Sequence, residues 1–381
     1  MQSTLFSPFT LGPLELPNRI VISPMCQYSA DDGCANPLWH LQHWAQLAMS
    51  GAGLVVVEAT GVERIGRITH GCTGLYSDAC EAAMARELSA AKRLAAPGTR
   101  FGIQLAHAGR KASAQRPWEG GKPLAAGEDP WPTVAPSAIP FDNGWPTPQA
   151  LDEAGIARIR DAFVAAARRA VAIGFDSIEL HMAHGYLLHA FLSPLSNRRT
   201  DGYGGPLANR LRLPLEIARA VRAAVPRHLA LGARITGTDW VEDGWTVEDA
   251  IILARELKAA GADFVCVSSG GIRGGVRVPV EPGYQVPLAA RVREGAGIAT
   301  RAVGLIADPL QAERIVADGQ ADLVAIARAV LDNPRWAWHA ADRLGAKLSY
   351  PPQYARVAAP LWPGAKLARP DDFAEELATV S

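Results

Sequence analysis

The stretch SIELHMAHGYLLHAFLSP, residues 177–194, opens as a buried strand and then delivers His181, His184 and Tyr186 within six positions. An apolar strand ending in titratable side chains is expected where a sheet is buried on both faces and its site lies at the strand's carboxyl end. Three readings fit these residues: a metal centre, two hydrogen-bond donors aimed at a substrate, or imidazoles satisfied within the core.

Similar apolar runs recur along the chain. They are RIVISP (19–24), GLVVVEA (53–59), FGIQLA (101–106), DSIELH (176–181), HLALGARI (228–235), DFVCVSS (263–269), IATRAVGLI (298–306) and DLVAIA (322–327). Amphipathic segments lie near 37–50, 81–95, 152–173, 207–224, 246–260, 286–294, 308–317 and 329–342. Eight strand–helix units predict an α/β fold, a single-domain (β/α)8 barrel over residues 1–347. A doubly wound open sheet, the alternative, usually carries fewer units. Two segments stand outside the repeat. Residues 107–151 are rich in Pro, Gly and Trp and too long for an ordinary barrel loop, so an ordered cap after the third strand is expected. Residues 348–381 form a tail that either wraps the barrel or packs at a subunit interface.

The composition narrows the function classes. Of 381 residues, 49% are hydrophobic and 20% charged, and 38 basic residues balance 38 acidic ones. No basic surplus points to nucleic acid or an anionic membrane. No charged-then-apolar leader and no bilayer-length apolar run is read, so a cytoplasmic protein is expected. Five scattered cysteines without a CxxC pair fit a reducing compartment better than a disulfide framework.

Polar and glycine residues gather at the carboxyl ends of the strands. The first strand offers Cys26 and Tyr28, the second Ala59 and Thr60, the third Gln104 and His107, the fifth Arg234 and the sixth the sequence SSGG. After the last two strands, Gly304 would admit close backbone approach and Arg328 a charge-assisted contact, the usual makings of a phosphate cradle. A surface ion pair is the plainer reading of Arg328. A guanidinium at the end of an apolar strand, as at Arg234, is costly without a partner: either an acidic barrel residue or an electron-rich ligand. Gln104 would hydrogen-bond a planar ligand edge-on. The metal reading of HMAH lacks an HExxH motif, with Glu179 as the one inward carboxylate nearby.

The motifs SPMCQYS, QLAHAGRKAS, VAPSAI, HMAHGYLLHAFLSPLSNRRTDGYGG, NRLRLPLEI and PPQYAR occur in this order. With them the chain resembles the Old Yellow Enzyme family of FMN-dependent ene-reductases, in the branch of the xenobiotic reductases and thermophilic-like enzymes. The resemblance implies non-covalent FMN over the strand ends, reduced by NADPH or alternatively NADH. It implies that Ser23, Pro24, Met25 and Cys26 line the flavin, with Ala59, Gln104 and Arg234 on the ring and Gly304, Ala327 and Arg328 at the phosphate. His181 and His184 would donate to the substrate's electron-withdrawing group, Tyr186 would supply the proton, and Tyr28 would face the substrate as a second phenol. Cys26 would tune the flavin potential. The implied substrates are small activated alkenes, α,β-unsaturated carbonyl or nitro compounds. Family habit also implies a homodimer or homotetramer in which Arg356, or Trp362 in the longer tail, reaches a neighbouring site. The alternatives are a flavin-binding redox sensor with Cys26 as the responsive thiol, and a metal-dependent barrel lyase. A related dienoyl-thioester reductase would need a cysteine cluster and a longer chain.

Overall fold

Residues alternate inward and outward along eight parallel strands that close into a barrel. In the computed structural model, which describes residues 3–373, the strands are β1 (Ile20–Ile22), β2 (Leu54–Gly61), β3 (Arg100–Ala106), β4 (Ser177–Met182), β5 (Ala230–Thr236), β6 (Phe264–Ser268), β7 (Ala299–Val303) and β8 (Leu323–Ile326). They pair in chain order, and β8 pairs with β1 to complete the barrel. Ile20, Ile22, Val55, Val57, Ile178 and Leu180 face the helices. Their alternates Val21, Leu54, Val56 and Ala230 face inward, as a period of two requires.

The outer layer is α1 (Trp39–Ala48), α2 (Asp78–Lys92), α3 (Glu153–Ile173), α4 (Arg212–Ala224), α5 (Val247–Ala259), α6 (Val286–Ala296), α7 (Pro309–Ala317) and α8 (Trp336–Arg343). Local chemistry sets where several begin. Ser77, Asp152, Thr246 and Asp308 accept hydrogen bonds from the first-turn N–H groups of α2, α3, α5 and α7. Among the described residues, no helix is long and apolar enough to cross a membrane.

A hairpin of Phe9–Leu11 and Leu14–Leu16 packs Leu11, Leu14 and Leu16 against the inward residues at the amino ends of the strands. It plugs that end of the barrel. The 107–151 cap is held by three 3-10 turns and a short parallel pairing of Val134–Ala135 with Gln149–Ala150. Buried Arg110 fastens the cap by donating to the carbonyls of Ile139 at 3.2 Å, Pro140 at 3.1 Å and Ile272, in the loop after β6, at 2.6 Å. Of the 348–381 tail, residues 374–381 lie outside the described residues; the rest begins against α8, where Trp338 meets Tyr350 at 4.6 Å between ring centroids. Arg356 and Trp362 are both exposed on it.

Candidate active site

Strand β4 positions the central residues. Its inward alternates are Ser177, Glu179 and His181, and the chain then turns sharply at Ala183–Gly185. His184 takes a left-handed backbone, φ 61°, a strained state for a residue with a side chain. Two contacts hold it: its N–H donates to Thr236 Oγ1 at 3.2 Å, and Lys111 Nζ donates to its carbonyl at 2.8 Å. Gly185 follows at φ 75°, where a Cβ would lie 2.1 Å from the Gly271 carbonyl oxygen, so only glycine fits.

The turn brings the two imidazoles edge to edge. His181 Nδ1 accepts the Ala183 N–H at 3.2 Å, which leaves the ring proton on Nε2. That atom lies 3.3 Å from Nδ1 of His184, with the rings nearly perpendicular at 81°. The far nitrogen of His184, Nε2, lies 2.7 Å from Ser268 Oγ at the end of β6. Burial, and then the charge of Arg234, hold both imidazoles well below their ordinary pKa, so both are neutral at neutral pH. Tyr186 stands edge-on to His181 at 4.9 Å between ring centroids, and burial pushes its phenol well above the ordinary value.

The first two strand ends add groups near Tyr186. Burial, with Cys72 and Glu58 nearby, raises the Cys26 thiol, so it stays protonated. Tyr28, at φ 51°, meets Trp118 of the cap edge-on at 5.9 Å. Its phenol is raised too, chiefly by burial. Glu58, next to Ala59, is buried in contact with His40 Nε2 at 3.0 Å and Trp44 Nε1 at 3.3 Å, which ties α1 to β2.

Arg234 and Gln104 behave differently from each other. Arg234 donates to Ser23 Oγ at 3.1 Å, and its buried Nε has no partner among the described residues. The acidic barrel residue goes elsewhere. Glu179 accepts from Gln104 Nε2 at 2.7 Å and pairs with fully buried Arg301 at 3.2 Å, whose guanidinium stacks 3.8 Å above Phe264. Glu179 is thereby turned away from any role as a third metal ligand beside the imidazoles. Among the described residues, no group of three His, Cys, Asp or Glu side chains is set to hold a metal ion. His107 also turns aside, to Glu63 at 2.9 Å.

The structure therefore brings His181, His184, Tyr186, Arg234 and Ser23 together, with Cys26 and Tyr28 near Tyr186. Ala59 is buried in β2, whereas Gly304, Ala327 and Arg328 sit apart at the ends of β7 and β8. These positions suit FMN. The unmatched Arg234 Nε would face the ring, and Gly304, at φ 114° with Gln285 Nε2 only 2.4 Å from a would-be Cβ, opens a backbone cradle before the helix that starts at Arg328. Sequence reasoning misses Arg301, Lys111, Glu58 and the specific part of Ser268. For Ser268 the signal was present in SSGG; for Glu58 it lay in the i, i+4 histidine and tryptophan of WHLQHW.

A parallel barrel with this polar mouth fits a flavin-dependent oxidoreductase. A model described as the NADH:flavin oxidoreductase / NADH oxidase family matches residues 4–346. The chain is 44% identical over 358 residues to an NADPH dehydrogenase of Geobacillus thermodenitrificans, spanning 93% of this chain and 99% of that one. It is 43% identical over 361 residues to an NADPH dehydrogenase of Listeria monocytogenes, with 93% and 99% covered. Among solved structures, morphinone reductase superposes with a TM-score of 0.73 at 30% identity over 93% of each chain. A 2-naphthoyl-CoA reductase complex superposes at 0.77 with 24% identity, covering 87% of this chain and 51% of that one. This chain spans about half of that reductase, and the likeness is one of fold. The chain belongs to the NADH:flavin oxidoreductase / NADH oxidase family, as its resemblance to Old Yellow Enzyme implied, and is an FMN-dependent oxidoreductase.

Proposed function

We propose that the protein is an NADPH-driven ene-reductase acting on small α,β-unsaturated carbonyl or nitro compounds. The observation that carries this reading is the convergence of His181 Nε2 and His184 Nδ1, 3.3 Å apart beside Tyr186. Two neutral imidazoles meeting at one point form a donor pair for a single oxygen once Ser268 gives its proton to His184 Nε2. Bound FMN would supply the hydride, taken from the nicotinamide. As the alkene is reduced, negative charge gathers on the carbonyl or nitro oxygen, and preorganised N–H groups there lower the barrier. Tyr186, held protonated by burial, is suited to protonate the neighbouring carbon as a general acid. Arg234, Ser23, Gln104, Gly304, Ala327 and Arg328 would hold the cofactor, with Pro24, Met25, Cys26 and Ala59 against its ring, and Tyr28 would face the substrate. A protonated Cys26 fits this reading better than a thiolate sensor does. Arg356 and Trp362, exposed on the tail, are the side chains a second copy would bury in a homodimer or homotetramer.

The test is an absorption titration of the purified holoprotein with phenol, followed by anaerobic mixing with NADPH and then cyclohexenone. A long-wavelength charge-transfer band and consumption of the enone are expected. A protein that is reduced by NADPH but leaves enones, nitroalkenes and maleimides untouched would overturn the proposed substrate class.

A further inference from the structure

The loops after β4, β5 and β6 line an open cavity of about 540 Å³, with Arg198, Trp240, Glu242, Asp243, Arg273 and Arg277 among its walls. All three arginines are exposed, and none of their guanidinium groups pairs with another described residue. Trp240 takes a left-handed backbone, φ 58°, and its indole N–H is buried without a partner among the described residues. Backbone strain of this kind at a cavity wall is found most often at functional positions.

The cavity adjoins the site already described. Trp240 Cδ1 lies 3.5 Å from where a Cβ on Gly270 would stand, and the next residue, Gly271, packs against His184. The same loop begins with Ser268, which faces His184 Nε2. A nicotinamide lodged beneath the imidazoles has to send the rest of its dinucleotide out through the barrel mouth. The cavity lies at the same end of the barrel, beside that mouth.

We infer that this cavity holds the adenosine 2′-phosphate end of NADPH and makes the protein prefer it to NADH. The inference rests on the nicotinamide-dependent reading proposed above. Three guanidinium groups against two carboxylates leave a net positive cavity, suited to a phosphate monoester rather than a bare hydroxyl. Trp240 offers a flat apolar face to the base. Glu242 and Asp243 are acceptors for ribose hydroxyls.

The test pairs kinetics with direct binding. In the holoenzyme, R273S/R277S is expected to lower the ratio of kcat/KM for NADPH over NADH by about tenfold or more, the scale of lost charge-assisted contacts. Glu242→Gln is expected to move that ratio the other way. Calorimetric titration of the wild type should show adenosine 2′,5′-bisphosphate binding more tightly than AMP, and the double variant should lose the difference. Equal binding of the two nucleotides by the wild type, or an unchanged NADPH/NADH ratio in the double variant, overturns the inference. Selective bisphosphate binding by a wild type that oxidises neither dinucleotide would support the cavity while removing the proposed hydride donor.

Discussion

Ser268 Oγ lies 2.7 Å from Nε2 of His184, and this contact sets which nitrogen of that ring carries the proton. If the serine donates, His184 Nδ1 keeps its proton and points it, beside that of His181, at the substrate position. Gln285 Oε1 accepts from Ser269 Oγ at 2.6 Å and, at 3.2 Å, competes for the one Ser268 proton, which the shorter contact to His184 Nε2 favours. Ser268→Ala should therefore weaken phenol binding by roughly fivefold to tenfold, the worth of one hydrogen bond, while Ser268→Thr restores it. Equal weakening by both variants, measured by the charge-transfer band, would contradict a tautomer-setting role.

The neutral state of the imidazole pair gives a pH prediction. Both rings titrate well below 6.5 in the fold, so carbonyl-ligand affinity should stay flat from pH 8 down to about pH 6. Below the ordinary histidine value the unfolded chain binds protons that the folded chain does not. The stability present above about pH 6.5 should then fall as the medium is acidified, read as a declining urea midpoint. His181→Ala or His184→Ala should cost roughly 10²-fold in alkene turnover.

Tyr186→Phe separates the two half-reactions. Loss of a general acid costs roughly 10²-fold or more, and the loss should fall on alkene reduction alone. Flavin bleaching by NADPH, followed by stopped flow, should proceed near the wild-type rate.

Lys111 couples pH to the strained turn. Burial beside Arg110 pulls its ammonium down to about 7, although it donates to the carbonyls of His184 and Gly271. Between about pH 7 and its ordinary 10.5, the unfolded chain holds the extra proton, so this group makes stability rise with pH across that window. Lys111→Met should flatten the rise in urea midpoint between pH 7 and pH 10.

Arg301→Leu tests the ion pair inside the barrel. It leaves Glu179 charged and buried, which should cost about 3–5 kcal/mol. The paired change Arg301→Leu with Glu179→Gln should recover most of that loss in chemical denaturation.

The barrel is legible in the sequence because strand alternation is a local property, and the run from His181 to Tyr186 is local as well. The partners of these residues are not. Glu179 alternates inward with His181, but whether Arg234 or Arg301 neutralises it depends on how the strands tilt across the barrel. Lys111 and Ser268 both lie in segments that read as part of the site. Their contacts with His184 exist only once the loops after β3 and β6 fold over the turn that follows β4.

The hairpin of Phe9–Leu11 and Leu14–Leu16, by stopping the barrel at its amino end, leaves the reactants a single doorway. On the function proposed above, electron donor and acceptor would take turns there, and a surplus of either would make turnover decline at high concentration instead of levelling off.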